Sequence, residues 1–270
     1  MSRGQNGRRD HDINVMGRQK GAIVATINRF GLGRTIPSAV RREVRQRCGF
    51  GCVICGLSLY DYEHFDPDFK DAKRHDPKGI TLLCMQCNQK RNRKVLSVKS
   101  VSKANDEPKS LQQGFSNEAF DFGSEPIEVV FAGVTFKNCD HLIRVAGIPI
   151  LSINSPEREH EPFRLSGRFC DDAGAATLKI EDNVWSVGAD NWDVECEGPR
   201  ITIRKGPGDI VLVLKSEPPE KLIVERLNME FEGMFFRGGK DLLEISNDGL
   251  NWGSWRGCSM MNCHIGMEFI

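Results

Sequence analysis

No stretch of this 270-residue chain approaches the roughly 18 consecutive apolar residues that a membrane-spanning helix requires. The opening residues Met1 to Arg9 are polar and basic with no apolar segment behind them, so no secretion signal is expected there. Net charge is lacking too, since 37 Lys and Arg face 37 Asp and Glu. Neither an internal repeat nor a low-complexity tract interrupts the sequence. These absences point to a soluble, cytoplasmic protein of about two globular domains.

The zero net charge conceals a division. Residues 1–95 carry 19 Lys and Arg against 9 Asp and Glu, whereas residues 96–270 carry 18 against 28. A basic block beside an acidic block is expected of two units with different partners, the basic one suited to a polyanion such as DNA.

Along the chain, residues 1–35 read as a basic, partly ordered arm whose one apolar stretch is Ala22 to Ile27. Pro37 to Arg47 reads as a short helix: Pro suits the first turn, Val40 and Val44 share one face, and Gly49 and Gly51 end it. Residues 96–125 show little periodicity and read as a linker. From residue 126 to 270 no useful stretch has helical periodicity. Strand-like runs are expected instead at 127–136, 142–153, 163–169, 176–180, 192–196, 200–204, 210–214, 222–231 and 242–245, with turn residues between them. That pattern predicts an all-β, sandwich-like domain. Its tryptophans (Trp185, Trp192, Trp252 and Trp255) are expected chiefly in the core.

Four of the ten cysteines form two Cys-x-x-Cys pairs, Cys52/Cys55 and Cys84/Cys87, with 28 residues between the pairs. Paired spacing in a chain with no expected secretion signal argues for metal rather than disulfides. Four thiolates make a closed tetrahedral zinc site, which is structural because no coordination position stays open. The other six cysteines are scattered and are expected to be reduced.

Between and after the pairs stand Asp61-Tyr-Glu-His64, Phe65-Asp66, His75-Asp76-Pro77-Lys78-Gly79 and Asn88-Gln-Lys-Arg-Asn-Arg-Lys94. With the two knuckles, these residues resemble the HNH (ββα-metal) endonucleases of zinc-bearing type over residues 48–95. The lead-in from Arg34 is similar to that of HNH proteins carrying a β-rich C-terminal extension. The resemblance implies an α+β chain, with a small ββα-metal module over 36–95 and an all-β domain after it. It also implies metal-dependent hydrolysis of DNA phosphodiester bonds, with His64 as general base and Glu63 and Asn88 as ligands of a catalytic Mg²⁺ or Mn²⁺. In microbial genomes such modules are often joined to regulatory or sensing parts in phage or defence systems. A protein partner or self-association is accordingly expected of the acidic β domain.

Two departures from the family's pattern matter. Asn88 stands where many members carry His, which favours a hard cation over a transition ion. Lys78-Gly79 stands near the family's central Asn, which leaves the brace of His64 open. Asp66 competes with Glu63 as the metal-binding acid, Asn88 could instead cap the final helix, and His75-Asp76 reads either as a turn or as a second ligand pair. The departures motivate an alternative, a catalytically inactive, zinc-stabilised nucleic-acid-binding protein. Under either reading Arg41, Arg42, Arg45, Lys90, Arg91, Arg93 and Lys94 are candidates for backbone contacts to DNA.

Overall fold

The computed structural model describes residues 27–270. The arm expected over 1–35 therefore lies outside the described residues up to position 26, including all but the last residue of the Ala22–Ile27 run. Among the described residues no helix is long and apolar enough to cross a membrane.

The expected first helix is α1, Ser38–Cys48. Pro37, at φ −55° and ψ 143°, sets its entry, and Gly49, at φ 65°, ends it in the left-handed conformation that glycine adopts without steric cost. A Cβ there would also lie 2.9 Å from the tip of Leu111, an exposed side chain that would have to move aside. Val44 and Cys48 face inward and are fully buried. Next come β1 (Asp61–His64) and β2 (Ile80–Leu83), paired antiparallel with His64 opposite Ile80. Helix α2 (Met85–Asn92) follows β2 after one residue. The order strand, strand, helix is thus formed over 61–92.

The stretch expected as a linker is largely regular. It holds α3 (Val98–Asp106), α4 (Lys109–Gln113) and β3 (Phe115–Ala119). Ser97 caps α3 by accepting a hydrogen bond from Ser100 N. Val101 and Asn105 of α3 are buried, and Ala104 packs against the core of the N-terminal module. Asn105 accepts from Arg47 Nη2 at 3.1 Å, a contact that no local pattern announces.

The rest is β structure, as the alternation predicted, but with more hairpins. Strands β4 (Glu128–Phe131) and β5 (Val134–Val145) divide the run expected at 127–136, and β5 and β6 (Ile148–Asn154) divide that at 142–153. The turns are Ala132-Gly133 and Ala146-Gly147, all four residues at positive φ. Two-residue hairpin turns of this kind usually announce themselves as Asn-Gly or Asp-Gly, so an Ala in the first place hides them. The chain continues through β7 (Arg164–Cys170), β8 (Ala176–Glu181), β9 (Val184–Gly188), β10 (Asp193–Glu197), β11 (Arg200–Gly206), β12 (Asp209–Glu217) and β13 (Lys221–Phe231). It ends in β14 (Met234–Gly238), β15 (Leu243–Ser246), β16 (Gly253–Trp255) and β17 (Ser259–Phe269).

One hydrogen-bonded path runs β10-β11-β12-β13-β4-β5-β6-β7-β8-β9-β3, with β14, β15 and β16 continuing from β13, and β17 parallel to β5. Two long strands organise it. β13 pairs with β4 through its first half and with β14 through its second, and β5 pairs likewise with β4 and then β6. The path folds over a single core in which Phe131 stacks on Phe169 at 6.1 Å, and Phe136, Phe231 and Phe236 are buried beside them. Trp185 joins this core, while Trp192 and Trp252 lie half-buried beneath Arg42 and Arg237.

The N-terminal module meets both end strands of that path. Leu57 forms a parallel bridge with Asn117 of β3, and Ser58 N donates to Asn117 O at 3.0 Å. At the other end α1 lies on β10 through its arginines. Arg45, 2% exposed, grips fully buried Asp193 with two bonds of 2.8 and 2.7 Å. Its third nitrogen reaches Glu195 at 2.7 Å and Tyr62 Oη at 2.9 Å. Arg204 holds the same two carboxylates from β11. Burial works to lower the pKa of Arg45, but the bonds and charge of Asp193 and Tyr62 outweigh it and the net shift is upward. Capping both ends protects strand edges that would otherwise pair with other chains.

These contacts take Arg45 away from its expected role and give Arg41 and Arg42 partners on the β domain. Arg45 is enclosed, Arg41 bonds Glu197 at 2.8 Å, and Arg42 lies over Trp192 at 5.0 Å with Asp193 nearby. Part of the basic half therefore neutralises part of the acidic half within one molecule. Replacing Arg45 leaves Asp193 short of a buried counter-charge, and Arg45→Met should cost about 3–5 kcal/mol in denaturant unfolding. A loss below about 1 kcal/mol, the scale of an exposed pair, would refute the buried role.

Candidate metal centre and active site

The four paired cysteines come together as their spacing predicted. Cys52 N donates to Leu57 O and Gly56 N to Cys52 O, each at 2.8 Å, which closes the first knuckle with Gly56 at φ 84°. Val53 N donates to Leu82 O at 3.0 Å and ties that knuckle to β2. Cys84 caps α2, its Sγ accepting from Cys87 N at 3.4 Å. All four sulfurs lie within 4.8 Å of one another, with Cys55 to Cys84 at 3.6 Å and Cys55 to Cys87 at 3.9 Å. Sulfurs placed tetrahedrally at about 2.3 Å from zinc stand about 3.8 Å apart, so the donor set and its geometry fit a structural zinc ion. A hydrogen bond from Cys55 lowers the pKa of the Cys52 thiol against its burial.

Beyond β1 the chain loops out to residue 79 and returns to β2. Phe65 N donates to Gly79 O at 3.0 Å and closes the loop. A Cβ on Gly79 would stand 2.2 Å from Asp66 O, so only glycine fits there. This answers why Lys78-Gly79 occupies the position: the backbone itself crosses the neck of the loop. Asp76 caps the short turn at Pro77–Gly79 by accepting from Lys78 N, as the turn reading expected.

His64 is nearly enclosed, at 8% exposure. Its Nε2 lies 3.1 Å from His75 Nδ1, and its ring packs against Phe69 with centroids 5.3 Å apart. The brace of His64 is thus the side chain of His75 rather than a backbone carbonyl. Burial first, then His75 and Arg34, hold the His64 imidazole down to about 4. Glu63 is half-buried and accepts a hydrogen bond from Asn88 Nδ2 at 2.5 Å. Its carboxyl is pushed up by burial, against the opposing effect of Asn88. Asp66 is exposed past the end of β1 and makes no such bond, so Glu63 is the acid brought to Asn88. Asn88 stands inside α2 and does not cap it, since Cys84 does. The Asn88 carbonyl oxygen, Oδ1, is buried without a hydrogen-bond partner. A carboxylate and an amide carbonyl are oxygen donors of the kind a hard divalent cation takes, and here it is the amide nitrogen of Asn88 that faces Glu63.

Arg91 differs from its expected role. It donates to His64 O at 3.1 Å and pairs with Asp68, which fastens α2 to the end of β1. Lys90, Arg93 and Lys94 are exposed and enter no ion pair among the described residues. His75 as a partner of His64, and Phe69 beside it, were missed by sequence reasoning. His75 stood next to a turn signal that accounted for Asp76 and Pro77 but not for itself. Set against family models, curated proteins and solved structures, the chain matches none of them.

Proposed function

We propose that residues 38–106 form an HNH-type nuclease module that hydrolyses DNA phosphodiester bonds, attached to a β domain with a regulatory or assembly role. The observation that carries this reading is the meeting of Glu63 and Asn88, with Asn88 Oδ1 buried and unpartnered, one residue from the enclosed imidazole of His64. A Mg²⁺ or Mn²⁺ ion held by Glu63 and Asn88 would supply charge neutralisation at the departing 3′ oxygen. His64 supplies the base. With Nε2–H donated to His75 Nδ1, its Nδ1 lone pair is left to take a proton from the attacking water. An incoming phosphodiester brings negative charge, which raises the proton affinity of the ring when substrate arrives. Arg91 holds the backbone of His64, and His75 and Phe69 hold its ring.

The exposed Lys90, Arg93 and Lys94 suit phosphate contacts along the duplex, which position DNA without reading sequence. The test is conversion of supercoiled plasmid to nicked or linear forms by purified zinc-loaded protein across divalent metals. Cleavage in Mg²⁺ or Mn²⁺ is expected. Inactivity toward DNA in every metal would overturn the reading and leave zinc-stabilised DNA binding in its place.

A further inference from the structure

We propose that Arg34 anchors the substrate at this site, its guanidinium binding a non-bridging oxygen of the phosphodiester presented to His64. The inference rests on the nuclease reading above. It starts from what the other arginines around the site are doing. Arg29 is paired with Asp71, Arg74 with Asp76 and Arg91 with Asp68. Arg47 donates to the carbonyls of Pro77 and Ile80 and to Asn105. Arg41, Arg42 and Arg45 face the β domain. Among the described arginines before residue 96, the side chains of Arg34 and Arg93 alone enter no hydrogen bond or ion pair with a described residue, and Arg93 follows the far end of α2.

Arg34 is exposed, yet its place is defined. Its Cζ lies 4.7 Å from the centroid of Phe69, and Phe69 packs in turn on His64. Arg34, Phe69, His64 and His75 therefore form one column from solvent into the site. A guanidinium lying on an aromatic face keeps its N–H edge free, and that edge matches the two oxygens of a phosphate.

The segment before Arg34 is built to hold it there. The Asn28 side-chain amide donates to Phe69 O at 2.6 Å and to Ala72 O at 2.7 Å. Its Oδ1 accepts from Phe30 N and Leu32 N, each at 3.0 Å. Ile27 and Gly33 then bridge, closing a tight loop. That loop is fastened to the turn carrying Phe69, and Arg34 is the next residue out of it.

The experiment compares full-length wild type, Arg34→Met and Arg34→Lys at equal zinc content. Plasmid cleavage is read as kcat and KM, and binding of a labelled duplex is read against salt without added divalent metal. Arg34→Met should lose about 10- to 100-fold in kcat/KM, the range of one charge-assisted hydrogen bond. Its salt slope should fall by about one phosphate contact. Arg34→Lys should recover the slope but not full turnover, because an ammonium cannot stack or present a fork. Cleavage by Arg34→Met close to wild type, or a loss with the slope unchanged, overturns the proposal. If wild type cuts in no metal while Arg34→Met still lowers the slope, the nuclease reading fails and the anchor stands. If the slope is also unchanged, both fail.

Discussion

Stripping zinc from the protein, or replacing Cys84 by Ser, should unfold residues 38–106 while the β domain from residue 115 keeps its structure. The module's own core is small. Its buried cluster comprises Val44, Cys48, Cys52, Val53, Ile80, Leu82, Leu83, Cys84 and Cys87, so three of its nine members belong to the four-cysteine group that fits zinc. A segment of this size buries too little apolar surface to hold a fold alone. Structural zinc contributes about 10–16 kcal/mol in zinc-finger peptides near neutral pH, far more than those few side chains can. Cys84 links the parts most directly, because its thiol both faces the other knuckle and caps α2. Without it the helix bearing Asn88 loses its start. Hydrogen exchange with and without chelator, alongside zinc content per chain, checks this. Unchanged protection over residues 44–92 in zinc-free protein would show that the fold stands without the ion.

His64→Ala should lower plasmid cleavage by about 10²- to 10⁴-fold at unchanged zinc content, the usual contribution of a positioned general base. The effect should fall on kcat more than on KM, since the imidazole acts on the water and binds no part of the DNA in the ground state. His75→Ala should give a lesser loss, because it removes the brace while leaving the base. Equal losses in the two variants would mean that the histidines act as a unit, with His75 a partner in the chemistry. Activity of His64→Ala near that of wild type would remove His64 from the mechanism. DNA binding should survive in both variants, which separates lost chemistry from a lost nucleic-acid surface.

The features readable in the sequence share one property: the residues that define them are neighbours in the chain, or a metal fixes their geometry. Pro37 and Gly49 bound α1 because each restricts or frees its own backbone. The alternation at Arg200 to Arg204 marks a strand because side chains in extended backbone face opposite sides. The two Cys-x-x-Cys pairs meet because four thiols at that spacing suit one tetrahedral ion. Glu63, His64 and Asn88 were legible through resemblance, and Glu63 and Asn88 do touch.

Where the sequence failed, a distant partner decided. Arg45 reads as a surface cation until Asp193, 148 residues away, encloses it. Arg91 belongs to a basic run until Asp68 and the His64 carbonyl engage it. His75 becomes the partner of His64 only once Gly79 lets the loop close over Asp66. Helix α3 is held by its cap, by buried Val101, by Ala104 against the module's core and by its contact with Arg47. By itself the sequence determined the knuckles, the first helix and the β character of the C-terminal half. The tertiary structure alone decided which charges face one another and which stay free for a ligand, because a charge is placed by what folds against it and not by its neighbours in the chain.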